Sequence, residues 1–278
     1  MRTRIPTLKI ALLGPPGFVL GQTTLPTPHR GVRRLLAYLA LQPGSHERSH
    51  LARQLFSQES STDPRAQLRQ ALFQLSAVYN RFGSPLAVSR QSVAWNPAYP
   101  LSADVQDFLV ASTEDPSVNL SAIALYRGPL LPGEEQDSDD AFPVWLRDQR
   151  QRLEKHLCLR YTSALQHLHQ AGDQSAGERL VNQWIQQFPL SDQAHLAAMQ
   201  LLVLGRKDTH ALYLFETFRE RKITQSGNKP GPEITAFYEH TRQSLPNAPV
   251  TAAPNVAGAQ GLWRGQRVGR WVGGRHQQ

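Results

Sequence analysis

The chain has 278 residues, of which 40% are hydrophobic and 19% are charged, so its composition is that of an ordinary globular protein. Its single cysteine, Cys158, excludes an internal disulfide and a zinc site built from several cysteines. No apolar run approaches the roughly 20 residues of a membrane helix, and the start lacks the pattern of a signal peptide. We therefore expect a cytoplasmic protein without membrane contact.

The net charge of +8 is unevenly distributed along the chain. Residues 1–101 contain 12 Lys and Arg but only 3 Asp and Glu, whereas residues 102–245 contain 14 and 19. Residues 246–278 contain 4 basic residues and 0 acidic ones. A basic first third beside an acidic middle is typical of a polyanion-binding domain joined to a second domain, although an ordinary basic surface would show the same excess.

The first third predicts strands, three helices and a hairpin, in that order. Residues 8–25 are expected to form short strands separated by the turns GPPG and GQ. Apolar residues at helical spacing predict a first helix that ends at Pro43-Gly44, and we expect Ser45 to begin the second helix. After Gly83, the segments LAV and SVAW predict two strands joined by a turn around Arg90.

The third helix is predicted over 64–82, with Asp63 as its N-cap and Pro64 at its first position. The side expected to face the core carries Leu68, Leu72, Leu75, Tyr79 and Phe82. The opposite side carries polar, cationic and aromatic residues: Arg69, Gln70, Phe73, Gln74, Ala77 and Arg81. This order of elements is that of a winged helix-turn-helix, in which the third helix enters the major groove of DNA.

The outer face of this helix has the chemistry needed to read base edges. Arg and Gln can bond to guanine and adenine, and Phe can contact a thymine methyl group. We predict that the base-facing residues are Arg65, Arg69, Gln70, Phe73 and Gln74. We predict that Arg30 and Arg48 contact phosphates and that Arg90, at the wing tip, reaches phosphate or the minor groove. An ordinary solvated helix face would also carry Arg and Gln, but it would not explain Phe73.

From residue 104 to residue 245 the pattern is helical throughout. Gly172 and Gly205 stand 33 residues apart, and each is expected to end a helix. This spacing is close to the 34-residue tetratricopeptide period, in which stacked helix pairs share a core. The acidic run EEQDSDD at 134–140 lacks the glycine and the terminal glutamate of an EF-hand, so we interpret it as a solvated loop. Residues 246–278 are rich in Pro, Ala and Gly and are predicted to be disordered.

Other kinds of site find little support in the sequence. The GPPG turn at 14–17 lacks the Gly-Lys-Ser/Thr that a phosphate-binding loop requires. His167 and His169 are two residues apart on a helix and therefore point in different directions, which is wrong for a shared metal ion. No catalytic triad or pair of carboxylates can be assembled. We expect a protein that is not an enzyme and that has no cofactor and no metal site.

Several motifs occur in a characteristic order along the chain: LKIALLG (8–14), RRLLAYLALQPG (33–44), LARQLF (51–56), AQLRQALFQL (66–75), DVQDF (104–108), ALYRGPLLPG (124–133), Trp145-Leu146 with Arg150, and FPLSDQAH (188–195). Together they resemble the SARP family of bacterial transcriptional activators. In that family a winged helix of the OmpR/PhoB response-regulator type precedes a bacterial transcriptional activator domain. The sequence departs from the family at Phe56, where Trp is favoured, and at Ser76, where a second arginine is common.

The resemblance implies a mainly α protein. An α+β winged helix-turn-helix would occupy 1–101, an all-α activator domain resembling tetratricopeptide repeats would occupy 102–245, and a basic tail would occupy 246–278. The implied function is a sequence-specific activator at the bacterial nucleoid that binds double-stranded DNA and RNA polymerase, with a homodimer on DNA as a further expectation. The alternative is a helical-repeat adaptor whose basic N-terminal domain binds RNA or an acidic protein.

Overall fold

The computed structural model describes residues 6–56, 63–79, 83–134 and 140–245. The chain divides into two compact units, with the division between His167 and Leu168. The predicted boundary at 101/102 lies inside the first unit. Because a compact unit and a functional domain are different divisions of a chain, the predicted domain bounds remain predictions. The tail 246–278 lies outside the described residues.

The first unit contains strands and helices in the predicted order. They are β1 (Leu8–Ala11), β2 (Gly17–Leu20), β3 (Thr23–Leu25), α1 (Arg30–Leu41), β4 (His46–Glu47), α2 (Arg48–Leu55), α3 (Pro64–Tyr79), β5 (Leu86–Val88), β6 (Ser92–Trp95), β7 (Leu101–Ala103), α4 (Asp104–Val110), α5 (Pro116–Leu125) and α6 (Ala141–Gln170), the last of which runs past the division. The expectation of a small α+β region followed by a helical region is confirmed.

The strands of the first unit form two small sheets. The four-stranded sheet has the order β3-β2-β1-β7, with β7 parallel to β1 and the other pairs antiparallel. The β5–β6 hairpin is joined by β4 into a three-stranded sheet. The sequence predicted that α2 begins at Ser45, but it begins at Arg48. His46 is paired with Val93 in the sheet, so residues 46–47 are extended.

Close packing of α1 against its neighbours requires small residues. A Cβ atom added at Gly31 would lie 3.0 Å from the ring of Phe56 and 3.7 Å from the Cβ of Ala71 on α3. Phe56 occupies the position where the SARP family favours Trp, and its ring is buried. The glycine therefore lets α1 approach both the end of α2 and the middle of α3.

The third helix begins as predicted, but at one position of its buried stripe Ala71 takes the place of Leu72. The backbone N–H of Arg65 donates to Asp63 Oδ1 at 3.1 Å, which satisfies one free amide of the first turn. Leu68, Ala71 and Leu75 are buried, whereas Leu72 is only half-buried. The prediction for Leu72 is corrected by the close approach of α1, which brings Ala71 into the core. The side chains of Tyr79 and Phe82 lie outside the described residues.

The second unit continues with helices: α7 (Gln174–Gln187), α8 (Asp192–Leu204), α9 (Asp208–Ser226) and α10 (Pro232–Gln243). As predicted, Gly172 stops α6, with a φ of 72°. After α8 the positive φ falls on Arg206, at 56°, and Gly205 is the C-cap with a φ of −79°. One hydrophobic cluster of this unit is formed by residues from α8, α9 and α10: Met199, Ala211, Leu212, Phe215, Phe218, Ile234 and Tyr238.

Candidate nucleic-acid interface

The outward face of α3 brings together most of the predicted base-facing residues. Arg65, Arg69, Gln70 and Phe73 are exposed, and Gln74 is half-buried. The most informative value is that of Phe73, whose surface is 73% exposed. Because Leu68 and Leu75 of the same helix are buried, α3 presents this face directly away from the core. The predicted grouping is therefore present on the surface, whereas its contact with DNA remains a prediction.

Two rows of side chains run along this face. Arg69, Phe73 and Ala77 follow one another at intervals of four residues, and Gln70 and Gln74 form the adjacent row. Among the described residues, no carboxylate forms an ion pair with Arg65 or Arg69. The face therefore combines guanidinium groups, amides and one aromatic ring without a neutralising acid from the described part of the chain.

The wing lies at the β5–β6 turn and carries Arg90 at its exposed tip. The turn is closed by Ser89, whose Oγ accepts hydrogen bonds from the backbone N–H groups of Gln91 and Ser92. Arg48, at the start of α2, binds the same turn. Its backbone N–H donates to the carbonyl of Gln91 at 2.8 Å, and its Nη1 donates to the carbonyl of Ser89 at 3.2 Å. The structure thus brings Arg48 and the wing together, a contact that the sequence did not predict.

Arg30, the remaining predicted phosphate contact, has a protein partner. Its Nε donates to Glu134 Oε2 at 2.5 Å, and its side chain is 46% exposed. Glu134 also accepts from Arg33 Nη2 at 2.7 Å and from Arg34 Nε at 3.0 Å. The interpretation of 134–140 as a solvated loop is therefore wrong for Glu134, whose side chain is fully buried; residues 135–139 lie outside the described residues.

The spacing of Arg30, Arg33 and Arg34 in the sequence indicates that they can share one acidic partner. Positions 30, 33 and 34 share one face of a helix, so α1 presents three guanidinium groups together. Arg34 is the most buried of them; its Nη1 donates to the carbonyl of Leu55 at 3.0 Å, and its guanidinium lies 4.3 Å from the ring centroid of Phe142. Burial and the charge of Arg30 lower the pKa of Arg34, and its bond to the Glu134 carboxylate opposes that effect.

The motif ALYRGPLLPG lies along the end of β1 and explains the GPPG turn. Gly14 N–H donates to the carbonyl of Pro129 at 3.0 Å, and Leu131 N–H donates to the carbonyl of Leu12 at 3.1 Å. Gly14 has a φ of 91°, and a Cβ atom there would lie 2.9 Å from the backbone of Arg127. The glycine is therefore required by backbone packing, which agrees with interpreting GPPG as a turn between strands.

A buried carboxylate fixes the same end of β1. Asp104 accepts hydrogen bonds from the backbone N–H groups of Leu12, at 2.8 Å, and Leu13, at 3.1 Å. Burial raises the pKa of this carboxyl group, and the two backbone bonds oppose that effect. The DVQDF and ALYRGPLLPG motifs thus meet at one strand, so their role in this unit is structural.

Neither a metal site nor a membrane span is present in the described residues. They contain no group of three or more His, Cys, Asp or Glu side chains placed to hold a metal ion. None of their helices is both long enough and apolar enough to cross a membrane.

The fold is a small N-terminal α+β region followed by a helical region. A family model for the bacterial transcriptional activator domain matches residues 114–242. Among solved structures, Mycobacterium tuberculosis EmbR in complex with low affinity phosphopeptide matches with a TM-score of 0.63 and 18% sequence identity. The match covers 85% of this chain and 65% of the EmbR chain, and at this identity it shows a common fold. No curated protein sequence matches the chain.

The comparisons bear out the activator domain and the fold that the resemblance to the SARP family predicted. The chain carries a bacterial transcriptional activator domain, and its fold is shared with EmbR.

Proposed function

We propose that this protein is a sequence-specific transcriptional activator that reads the major groove of double-stranded DNA with α3. The observation that carries the proposal is the 73% exposure of Phe73 in a row with Arg69. An exposed ring between guanidinium and amide groups suits base edges, which offer both hydrogen-bonding atoms and methyl groups. The major groove of DNA admits a helix, whereas that of an RNA duplex is too deep and narrow. The face therefore favours DNA over RNA.

The remaining predicted residues have supporting roles in this proposal. Arg90 at the wing tip contacts a phosphate or the minor groove, and Arg48 holds the wing through Ser89 while its other guanidinium nitrogens face a phosphate. Arg30 is half-exposed beside Glu134 and contributes positive charge along α1. The helical region contacts RNA polymerase or arranges two copies of the chain on DNA. The protein performs no catalytic step.

Replacing Arg69 by Ala tests the proposal directly. Because Arg69 is exposed on the middle of α3, we expect a loss of about 1–3 kcal/mol of binding free energy on the specific site, with relaxed preference at one base pair. The loss on a scrambled duplex should be much smaller, since a base-edge contact carries the sequence preference. The measurement is a titration of both duplexes at several salt concentrations.

The matched control is Arg152→Ala, which removes an exposed arginine from α6, outside the predicted reading face. This variant should keep the affinity for both duplexes and the dependence of affinity on salt. Circular dichroism should show that both variants are folded, because neither side chain is buried. Full affinity and full selectivity in a folded Arg69→Ala variant would show that α3 is not the reading helix.

A further inference from the structure

Purely electrostatic binding to DNA would give the exposed ring of Phe73 no role. Phosphates and base hydrogen-bonding atoms are bound by the neighbouring arginine and glutamine side chains, and a phenyl ring cannot replace them. Leaving a ring 73% exposed also forgoes the burial that usually stabilises phenylalanine. The ring therefore needs an apolar group on the partner. In the major groove that group is the 5-methyl of a pyrimidine.

The surroundings of Phe73 leave space for such a group. The next residue of the same row is Ala77, which is exposed and ends at its Cβ atom. Arg69 lies one turn earlier and Gln70 flanks the ring, so the apolar contact is bordered by groups that bond to guanine and adenine. A protein partner of ordinary apolar character would instead meet these cations and amides at its edge. The arrangement fits a base step better than an apolar protein surface.

We propose that Phe73 is a specificity-determining residue that contacts the 5-methyl group of a pyrimidine, a step that rests on the proposed function. Thymine carries this methyl group by nature, and 5-methylcytosine places the same group at the same ring position. Binding at this one position therefore depends on the methyl group itself. Phe73 lies about 6 Å along the helix from Arg69, and base pairs are about 3.4 Å apart, so the methyl lies within about two base pairs of the base bound by Arg69.

The test uses the full chain and a duplex selected by it from a random pool. Each thymine in turn is replaced by deoxyuridine, which removes the methyl group and leaves the hydrogen-bonding edge unchanged. We expect one position at which affinity falls about fourfold, the change expected for one buried methyl-sized group. At that position a pair with 5-methylcytosine should bind about fourfold more tightly than the same pair with cytosine.

Three variants separate this contact from the rest of the face. Phe73→Ala should bind the duplexes that carry the methyl group more weakly than the wild type does and should no longer distinguish thymine from uracil or 5-methylcytosine from cytosine. Phe73→Leu should retain part of both responses, because leucine is also apolar. Gln70→Ala should lose affinity but keep both responses. The unfolding midpoint of Phe73→Ala should match that of the wild type, since the ring is exposed.

The outcomes distinguish this inference from the proposed function. Absence of any preference for the selected duplex over a scrambled one would contradict the proposed function itself. If the protein binds specifically but no replacement of a thymine by uracil changes its affinity, the role of Phe73 is overturned and the proposed function is not. A response that persists in Phe73→Ala would assign the methyl contact to another residue. If affinity falls when uracil replaces thymine but does not rise when 5-methylcytosine replaces cytosine, the claim that the methyl group itself is recognised is overturned.

Discussion

Replacing Glu134 by Gln is expected to destabilise the first unit by about 3–5 kcal/mol. The carboxylate of Glu134 is fully buried and accepts hydrogen bonds from the guanidinium groups of Arg30, Arg33 and Arg34. A neutral amide removes the compensating charge, and its NH₂ group donates toward groups that can only donate. The loss of the carboxylate charge destabilises Arg34 most, because only 8% of its side chain is exposed to solvent. The free energy of opening, measured by hydrogen exchange of peptides covering α1, is the appropriate readout.

Two further variants show whether the effect comes from the buried charge. Glu114→Gln changes an exposed carboxylate of the same unit and should alter stability by no more than about 0.5 kcal/mol. Adding Arg34→Met to Glu134→Gln should cost less than the sum of the two single changes, because the double variant removes a charge that would otherwise lack its partner. Additive costs would mean that the carboxylate and Arg34 are not coupled.

The effect of replacing Glu134 is expected to extend through packing to α3, the proposed reading helix. Glu134 follows the ALYRGPLLPG motif, and its three partners lie on α1. Through Gly31, α1 packs against Ala71 on the buried side of α3. The ALYRGPLLPG motif and α3 are therefore connected by a short series of packing contacts within one compact unit. A loosened α1 should also weaken DNA binding, because α3 would lose part of its support.

Features that depend on neighbouring residues were predictable from the sequence. The start of α3 follows from Asp63 and Pro64, since capping and the φ of proline are local properties. The exposure of Phe73 follows from the position of the leucines, because helical periodicity fixes which side chains point away from the core. The β5–β6 hairpin follows from two short apolar runs separated by polar turn residues.

Features that depend on distant residues were not predictable. Glu134 is 104 residues from Arg30 in the sequence, so an acidic run alone could not show that its first carboxylate is buried. The start of α2 was misplaced because the strand at His46 exists only through pairing with Val93. Leu72 was expected in the core because helical periodicity places it on the side of Leu68 and Leu75; the close packing of α3 on Gly31 of α1 brings Ala71 into the core instead. In each case the missing information was a tertiary contact.

The family motif FPLSDQAH contains a histidine whose role the structure reveals. His195 is 1% exposed and stacks on Phe218 with ring centroids 3.9 Å apart. Its Nδ1 lies 2.9 Å from the carbonyl of Ser191, so that nitrogen carries the proton and donates it. Asp192 of the same motif forms an ion pair with Lys222 at 2.5 Å. The motif therefore joins α8 to α9 through a neutral ring and an ion pair.

We expect the second unit to lose about 3 kcal/mol of stability as the pH falls from about 6.5 to about 4. Burial lowers the pKa of His195 to about 4 from its ordinary value of 6.5, and the nearby Arg221 and Lys222 add to the effect, while the bond to Ser191 and the charge of Asp192 oppose it. Between these pH values the unfolded chain binds a proton at this histidine and the folded chain does not. Folding is therefore disfavoured progressively as the pH falls through this window, and above it the histidine contributes no slope.

Hydrogen exchange of peptides from α8 and α9, corrected for intrinsic rates at each pH, measures this dependence locally. His195→Asn keeps a donor near the Ser191 carbonyl but cannot titrate, so it should be less stable at neutral pH and should lack this part of the pH slope. The matched control, His240→Asn, changes an exposed histidine of α10 and should leave the slope in place. An unchanged slope in His195→Asn would show that this buried ring does not control the acid sensitivity of the unit. If instead the slope disappears while the ring resonances of wild-type His195 titrate near pH 4, the histidine of the family motif is held neutral by the fold. Its burial then makes the packing of α8 on α9 dependent on neutral pH.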